Sequence, residues 1–400
     1  MTRVVQHDRT AEEAVPTDVD RVVRAGEELV GFLAPDVEPG VDVASWLNVT
    51  RFAEALGDEN PLYTDPEHGA GSSHHSMLAP PAFVLAVRMP GSAGAADQVD
   101  HQLATDLAAV TVTWDDVVRL GDRHLTGRIH VTGVTAELTA AGRPKATVTS
   151  TVDYQRDGER IARAQAQVDL VPIADLPPIR PLRRYDPAEI DRMKHELDTE
   201  PPPRGTTPRF WKDVTVGDIG VTILKGPLTL ADLMVWTFAE GRPVRAGNLV
   251  HQRLAERAGR RATHPITQWP VWDRAEAGLD SAVTDPGGPQ APGGLLFALA
   301  TQYATHWMGD DGFLRQVGAR LHRPFRYGDA LRLTGSVTDR CTATDEAGSR
   351  HHAVHLRVDG RDQLDEPVIT AHAVVLLPDP GKPVRLPIRG GLVRDTPPET

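Results

Sequence analysis

Apolar and polar positions along this chain change period partway through the first half, and the second half repeats the change. Leu47, Phe52, Ala55 and Leu56 recur near helical spacing, with Asn48 or Thr50 placed to cap the run. Residues 77–87 are the most apolar segment of the first half. Prolines near its start suit a first turn whose N–H groups have no partner in any case, so a buried helix is expected there. From Ala108 the period becomes two. Residues 110–114, 125–134, 145–154 and 163–171 are β-branched, alternating runs separated by Gly and Asp turns, and Asp157-Gly158 is a hairpin signal. The first half therefore reads as helices followed by an antiparallel meander.

Residues 172–209 carry nine prolines around a short amphipathic helix at 188–197, and read as a linker that is stiff where prolines cluster. The order of features then recurs. Phe238-Ala239-Glu240 echoes Phe52-Ala53-Glu54, and Asn248-Leu249-Val250-His251 echoes Asn60-Pro61-Leu62-Tyr63. Pro292-Gly293-Gly294 echoes the proline-led helix start, and Gly328-Asp329 echoes Gly121-Asp122, both read as turns that open strands. This ordering implies an internal duplication. An apolar helix followed by an antiparallel sheet is best buried by wrapping the sheet around the helix. Two such halves joined edge to edge cover each other's exposed strands. The boundary between halves is then the expected place for an elongated ligand.

Composition adds bounds. Four hundred residues exceed the usual single domain. A formal net charge of −12, with no basic stripe, argues against nucleic-acid binding. One cysteine, Cys341, allows no intrachain disulfide and suits a reducing compartment. The N-terminal stretch lacks a signal-peptide core, and no apolar run approaches the roughly 18 residues of a membrane span, so a cytoplasmic protein with no membrane partner is expected. His74-His75 carries no cluster of carboxylates that would suggest a metal. His351-His352 falls at an expected hairpin turn and reads as solvated.

The stretch Gly57-Asp58-Glu59-Asn60-Pro61-Leu62, with Ala79-Pro80 behind it and Trp307-Met308-Gly309-Asp310-Asp311-Gly312 in the second half, resembles the MaoC-like, R-specific enoyl-CoA hydratase family. It is similar, more narrowly, to double hot-dog members whose N-terminal domain is like the dehydratase of type I fatty acid synthases. The resemblance implies an α+β tandem hot-dog, each half an antiparallel sheet wrapped around a central helix. The implied divisions are a tail (1–27), an N-terminal hot-dog domain (28–171), the linker (172–209), a C-terminal hot-dog domain (210–377) and a Pro-rich tail (378–400). The implied reaction is reversible addition of water to a 2-enoyl thioester, or its removal from a 3-hydroxyacyl thioester, without a cofactor or metal. The implied partner is an acyl-CoA or acyl-carrier-protein thioester, and the fused halves would act as a monomer or a homodimer.

In the family an Asp and a His five positions apart activate water, and backbone N–H groups at the central helix start hold the thioester oxygen. Here the first half keeps Asp58 and Asn60 but has Tyr63 at the His position, and Tyr is a poor base near neutral pH. Pro80 and Pro81 also remove N–H donors. By resemblance this is the degenerate, substrate-holding half, with Asn60 and Tyr63 against the substrate. The second half keeps Asn248 and His251 in register, with Gly293 and Gly294 where donors would approach an oxygen, but Ala246 stands at the Asp position. Its carboxylate would come from Glu240 or from elsewhere. The catalytic candidates are therefore His251, Asn248 and Asp58. The alternative is a non-hydrating double hot-dog protein that binds an acyl or polyketide chain as a partner subunit, or that catalyses a different rearrangement such as cyclisation.

Overall fold

A computed structural model describes residues 17–34, 40–95, 98–99, 101, 103–172, 175, 180–241, 266–268 and 288–395. In the first half, α1 (Asp18–Glu27), α2 (Trp46–Ala55), α3 (Pro61–Thr64), α4 (Pro66–Gly71) and α5 (Val84–Val87) precede four long strands. These are β1 (Leu103–Trp114), β2 (Leu125–Leu138), β3 (Pro144–Arg156) and β4 (Glu159–Pro172). The β3–β4 turn is the two-residue Asp157-Gly158, both left-handed (φ 51° and 84°), with Arg156 paired to Glu159 across it. That conformation matches the right-handed twist of the flanking strands.

After α6 (Pro187–Asp198), the second half supplies β5 (Ile223–Lys225), α7 (Leu230–Ala239), α8 (Gly293–Met308), β6 (Phe313–Leu321), β7 (Leu331–Thr344), β8 (Arg350–Asp362), β9 (Pro367–Leu377) and β10 (Val393–Arg394). All ten strands form one antiparallel sheet, in the order β10-β7-β8-β9-β6-β1-β4-β3-β2 with β5 on β7. Within it the first half reads 1-4-3-2 and the second 6-9-8-7, which is the same permutation. The duplication is therefore present in the topology. Local detail agrees: Arg119 N–H donates to Asp122 Oδ2 at 2.9 Å, and Arg326 N–H donates to Asp329 Oδ2 at 3.0 Å, in the matching Gly-Asp turns. The halves join where β1 meets β6, from Ala109↔Arg320 to Thr113↔Gln316. Each half thus satisfies the other's strand edge.

The sheet wraps α8. Every residue of this helix is buried except Gly293 and His306. Its apolar side chains belong to one core that spans both halves and includes Phe52, Phe83, Trp114 and Trp236. Phe52 touches Phe83 and Trp236 at ring-centroid distances of 5.6 and 5.5 Å. Among the described residues the first half has no equal helix. The expected helix over 77–87 is a single 3₁₀ turn (Pro81–Phe83) followed by α5. Pro80 and Pro81 remove donors at its start, and Pro90 biases Met89 away from helix. Arg88 is already extended, and its carbonyl and that of Gly91 accept hydrogen bonds from Tyr154 Oη (2.7 Å) and Ser150 Oγ (2.6 Å).

The linker is docked against the second half. Met193 packs with Leu224 and Ala330, Glu196 chelates Arg332 at 2.8 and 3.1 Å, and Tyr185 Oη donates to Gly328 O at 2.8 Å. The segment after Pro378 is docked too, with Ile388 N–H on Asp115 O at 2.7 Å and β10 on β7. His351 and His352 lie on β8 and are not solvated. His351 is buried and pairs with Asp345 at 3.2 Å, while His352 stacks on Trp211 and pairs with Asp379 at 2.9 Å. The alternating pattern that makes a strand turns one of them to each face.

Phe297 is fully buried in α8 and stacks on Trp114 across the seam, with ring centroids 6.4 Å apart. Phe297→Ala is expected to cost about 3–5 kcal/mol, read as a lowered midpoint in urea unfolding.

Candidate functional site

The chain leaves α2 through Gly57, whose left-handed backbone (φ 57°) closes the helix C-terminus. That turn delivers Asp58 into the interior, 4% exposed. Asn60 then caps α3, its Oδ1 accepting from Leu62 N–H at 3.0 Å while Pro61 occupies the first helical position. These are local reasons for the loop's shape. Its surroundings come from the other half of the chain.

Four second-half side chains grip this loop. Lys225 Nζ donates to Leu56 O at 2.7 Å, and Gln302 Nε2 donates to Gly57 O at 3.3 Å. His306 Nε2 lies 3.0 Å from Asp58 Oδ1, and Asp310 Oδ1 accepts from Asn60 Nδ2 at 2.9 Å. A carboxylate oxygen only accepts, so in this contact His306 Nε2–H is the donor. Asp58 Oδ1 also accepts the Asn60 N–H at 3.1 Å. The other oxygen, Oδ2, is buried and has no protein partner among the described residues. A buried acceptor left open in this way is costly unless a small donor fills it.

Asp310 extends the network. Its Oδ2 meets His68 Nε2 at 3.2 Å, and its carbonyl meets His74 Nε2 at 2.9 Å. A carbonyl only accepts, so His74 Nε2 carries a proton. Beside these groups lies a pocket lined by Leu62, Tyr63, Pro80, Pro81, Trp114 and Asp310, with His74, Asp116 and further apolar side chains around it. Lining residues that are only half-buried, His74, Pro81 and Val117, mark its open side. Tyr63 belongs both to the pocket wall and to the surroundings of Asp58. Its burial, and then the carboxylates of Asp58 and Asp310, push the phenol well above its ordinary value, against a smaller opposing contribution from the Thr305 hydroxyl. Burial lowers the Lys225 ammonium from its ordinary value, opposed by Asp58, Glu200 and Glu59. Among the described residues no group of three or more His, Cys, Asp or Glu is placed to hold a metal ion.

Of the residues singled out in the sequence, the structure brings Asp58, Asn60 and Tyr63 together. Gly293 and Gly294 open α8, about 20 Å along the axis from His306 at 1.5 Å per residue. A side chain at Gly293 would collide with Leu107 and Leu321, and one at Gly294 with Met89. Close packing accounts for both glycines. Asn248 and His251 lie outside the described residues. The sequence offered no role for His306, Gln302 or Lys225, gave Asp310 only as part of the Trp307–Gly312 stretch, and set His74 aside as a metal ligand. One signal was present: Gln302, His306 and Asp310 recur every four positions, and Gln302 and His306 form a polar stripe on an otherwise apolar helix.

Fold and site together define a double hot-dog protein with a polar cluster at the boundary between its halves. Residues 39–164 match the family model of the FAS1-like dehydratase domain region. A UPF0336 protein of Streptomyces avermitilis is 40% identical over 82 residues, 19% of this chain and 52% of that protein. A UPF0336 protein of Parafrankia sp. (strain EAN1pec) is 30% identical over 123 residues, 29% of this chain and 75% of that protein. The chain spans about half the length of the Streptomyces relatives it matches. A solved MaoC-like dehydratase superposes with a TM-score of 0.56 at 17% identity, covering 88% of this chain and 99% of that one. The chain belongs with the UPF0336 proteins, residues 39–164 carry a FAS1-like dehydratase domain region, and the fold is shared with the MaoC-like dehydratase. Among the described residues no helix is long and apolar enough to cross a membrane.

Asp310→Ala strips acceptors from Asn60 and His68 at once. It is expected to lower stability by about 1–3 kcal/mol in urea unfolding. Asp311→Ala, which loses only the exposed Ser73 hydroxyl, should cost less.

Proposed function

We propose that this chain hydrates a 2-enoyl thioester, or dehydrates the corresponding 3-hydroxyacyl thioester, at the boundary between its halves. The substrate would be carried on CoA or on an acyl carrier protein. The observation that supports this most is the contact between the buried Asp58 and the part-buried His306. The first half has Tyr63 where the family has its histidine, and α8 of the second half supplies a histidine to the same carboxylate.

The arrangement suits acid–base work. Asp58 Oδ2 is free to accept a hydrogen bond from a water molecule, while Oδ1 is fixed by the Asn60 N–H and by His306. A His–carboxylate pair takes and returns a proton near neutral pH. Lys225, Gln302 and Asp310 hold the loop that carries Asp58, so the pair's geometry is set before a substrate arrives. The apolar pocket beside Tyr63 receives the acyl chain. Asn60 acts by orienting Asp58 and Asp310, and Tyr63 faces the substrate. Gly293 and Gly294, packed at the far end of α8, serve the core in this reading.

The test is hydration of crotonyl-CoA, followed by loss of the enoyl-thioester absorbance. Asp58→Asn and His306→Ala are each expected to lower kcat by about 100-fold or more. If both variants keep the wild-type rate, the pair is not the catalyst. A wild type that binds enoyl thioesters yet hydrates none would instead be an acyl-binding subunit.

A further inference from the structure

Adding water to a 2-enoyl thioester sends negative charge onto the carbonyl oxygen, so the site needs a hydrogen-bond donor aimed at that oxygen. The side-chain donors that line the pocket are few, and two are already committed. The Trp114 indole N–H donates to Pro81 O at 2.9 Å, and His74 Nε2–H donates to Asp310 O at 2.9 Å. Pro80 and Pro81, at the start of the shortened helix, have no N–H to offer. Tyr63 remains.

We propose, building on the hydratase reading, that Tyr63 is a catalytic residue whose phenol donates the hydrogen bond that polarises the thioester carbonyl. Three observations converge on it. Tyr63 lines the pocket together with Pro80 and Pro81, where a backbone donor is missing. Its ring is held by Ala53, Leu62 and Leu78, so the hydroxyl is presented from a fixed position. Burial beside Asp58 and Asp310 keeps the phenol protonated well past neutral pH, so it stays a donor. The phenol is hydrogen-bonded to the Thr305 hydroxyl, which gives its own proton to Gln302 O at 2.9 Å and so accepts from the phenol, and an entering carbonyl takes over that acceptor's place.

In the hydration step the water oxygen forms a bond to C3 as the C2=C3 π pair shifts toward C1, and the carbonyl oxygen gains the charge. The water's proton passes to the Asp58–His306 pair and is then delivered to C2. Tyr63 keeps its proton throughout and shares it with the enolate oxygen. Atoms and charge balance without any further reactant. The change from His to Tyr thus replaces a base by an electrophile, and the base moves to His306.

Tyr63→Phe removes one hydroxyl and leaves the ring packing intact. It is expected to lower kcat by about 100-fold with KM changed less than about threefold. It should also abolish the red shift that a polarised carbonyl gives to the absorbance of a bound enoyl thioester. Tyr63→His, which would help a site short of a base, should be as inactive as Tyr63→Phe. A Tyr63→Phe enzyme that keeps both its kcat and the shift overturns the proposal. If the wild type hydrates nothing but shows a shift that Tyr63→Phe loses, the carbonyl contact stands and the hydratase reading falls. A wild type that binds the thioester without any shift overturns the contact itself.

Discussion

The contact between Asp58 and His306 is the interaction on which the site depends. It joins residues 248 positions apart, one on a loop of the first half and one on the central helix of the second. A buried carboxylate is costly in a low-dielectric interior unless it is held by partners. Asp58 meets this condition through Oδ1 alone, and the open Oδ2 gives the site its chemical character. The grip of Lys225, Gln302 and Asp310 on the surrounding loop exists because the halves are fused across β1 and β6.

The duplication kept its sheet and lost its symmetry. Both halves show the same strand permutation and the same Gly-Asp turn, yet only the second retains a full central helix. One long helix inside a shared sheet fills a core that two would otherwise share. Pro80 and Pro81, at the start of the shortened helix, line the pocket together with Tyr63 and have no N–H to donate.

Much of the fold was legible in the sequence because its causes are local. Alternating β-branched runs form strands whatever lies beside them, and Asp157-Gly158 turns a hairpin through its own backbone preference. Proline at Pro80, Pro81 and Pro90 was visible too. A helix that begins with two prolines and meets a third soon afterwards has little room, and the expectation of a full buried helix gave too little weight to this. His351 and His352 were misread because burial by Trp211, Asp345 and Asp379 is not a property of their own stretch.

The sequence by itself determined the fold class, the repeated order of elements, and the loop that carries Asp58, Asn60 and Tyr63. Tertiary structure alone decided which histidine meets Asp58. Hydrophobic period and turn residues act over a few positions, so they can be read along the chain. The pairing of a loop with a helix face depends on how the two halves dock, and no spacing in the sequence encodes that distance. His306 had a faint mark, its polar stripe with Gln302 on an apolar helix, but only packing shows that the stripe faces the Asp58 loop.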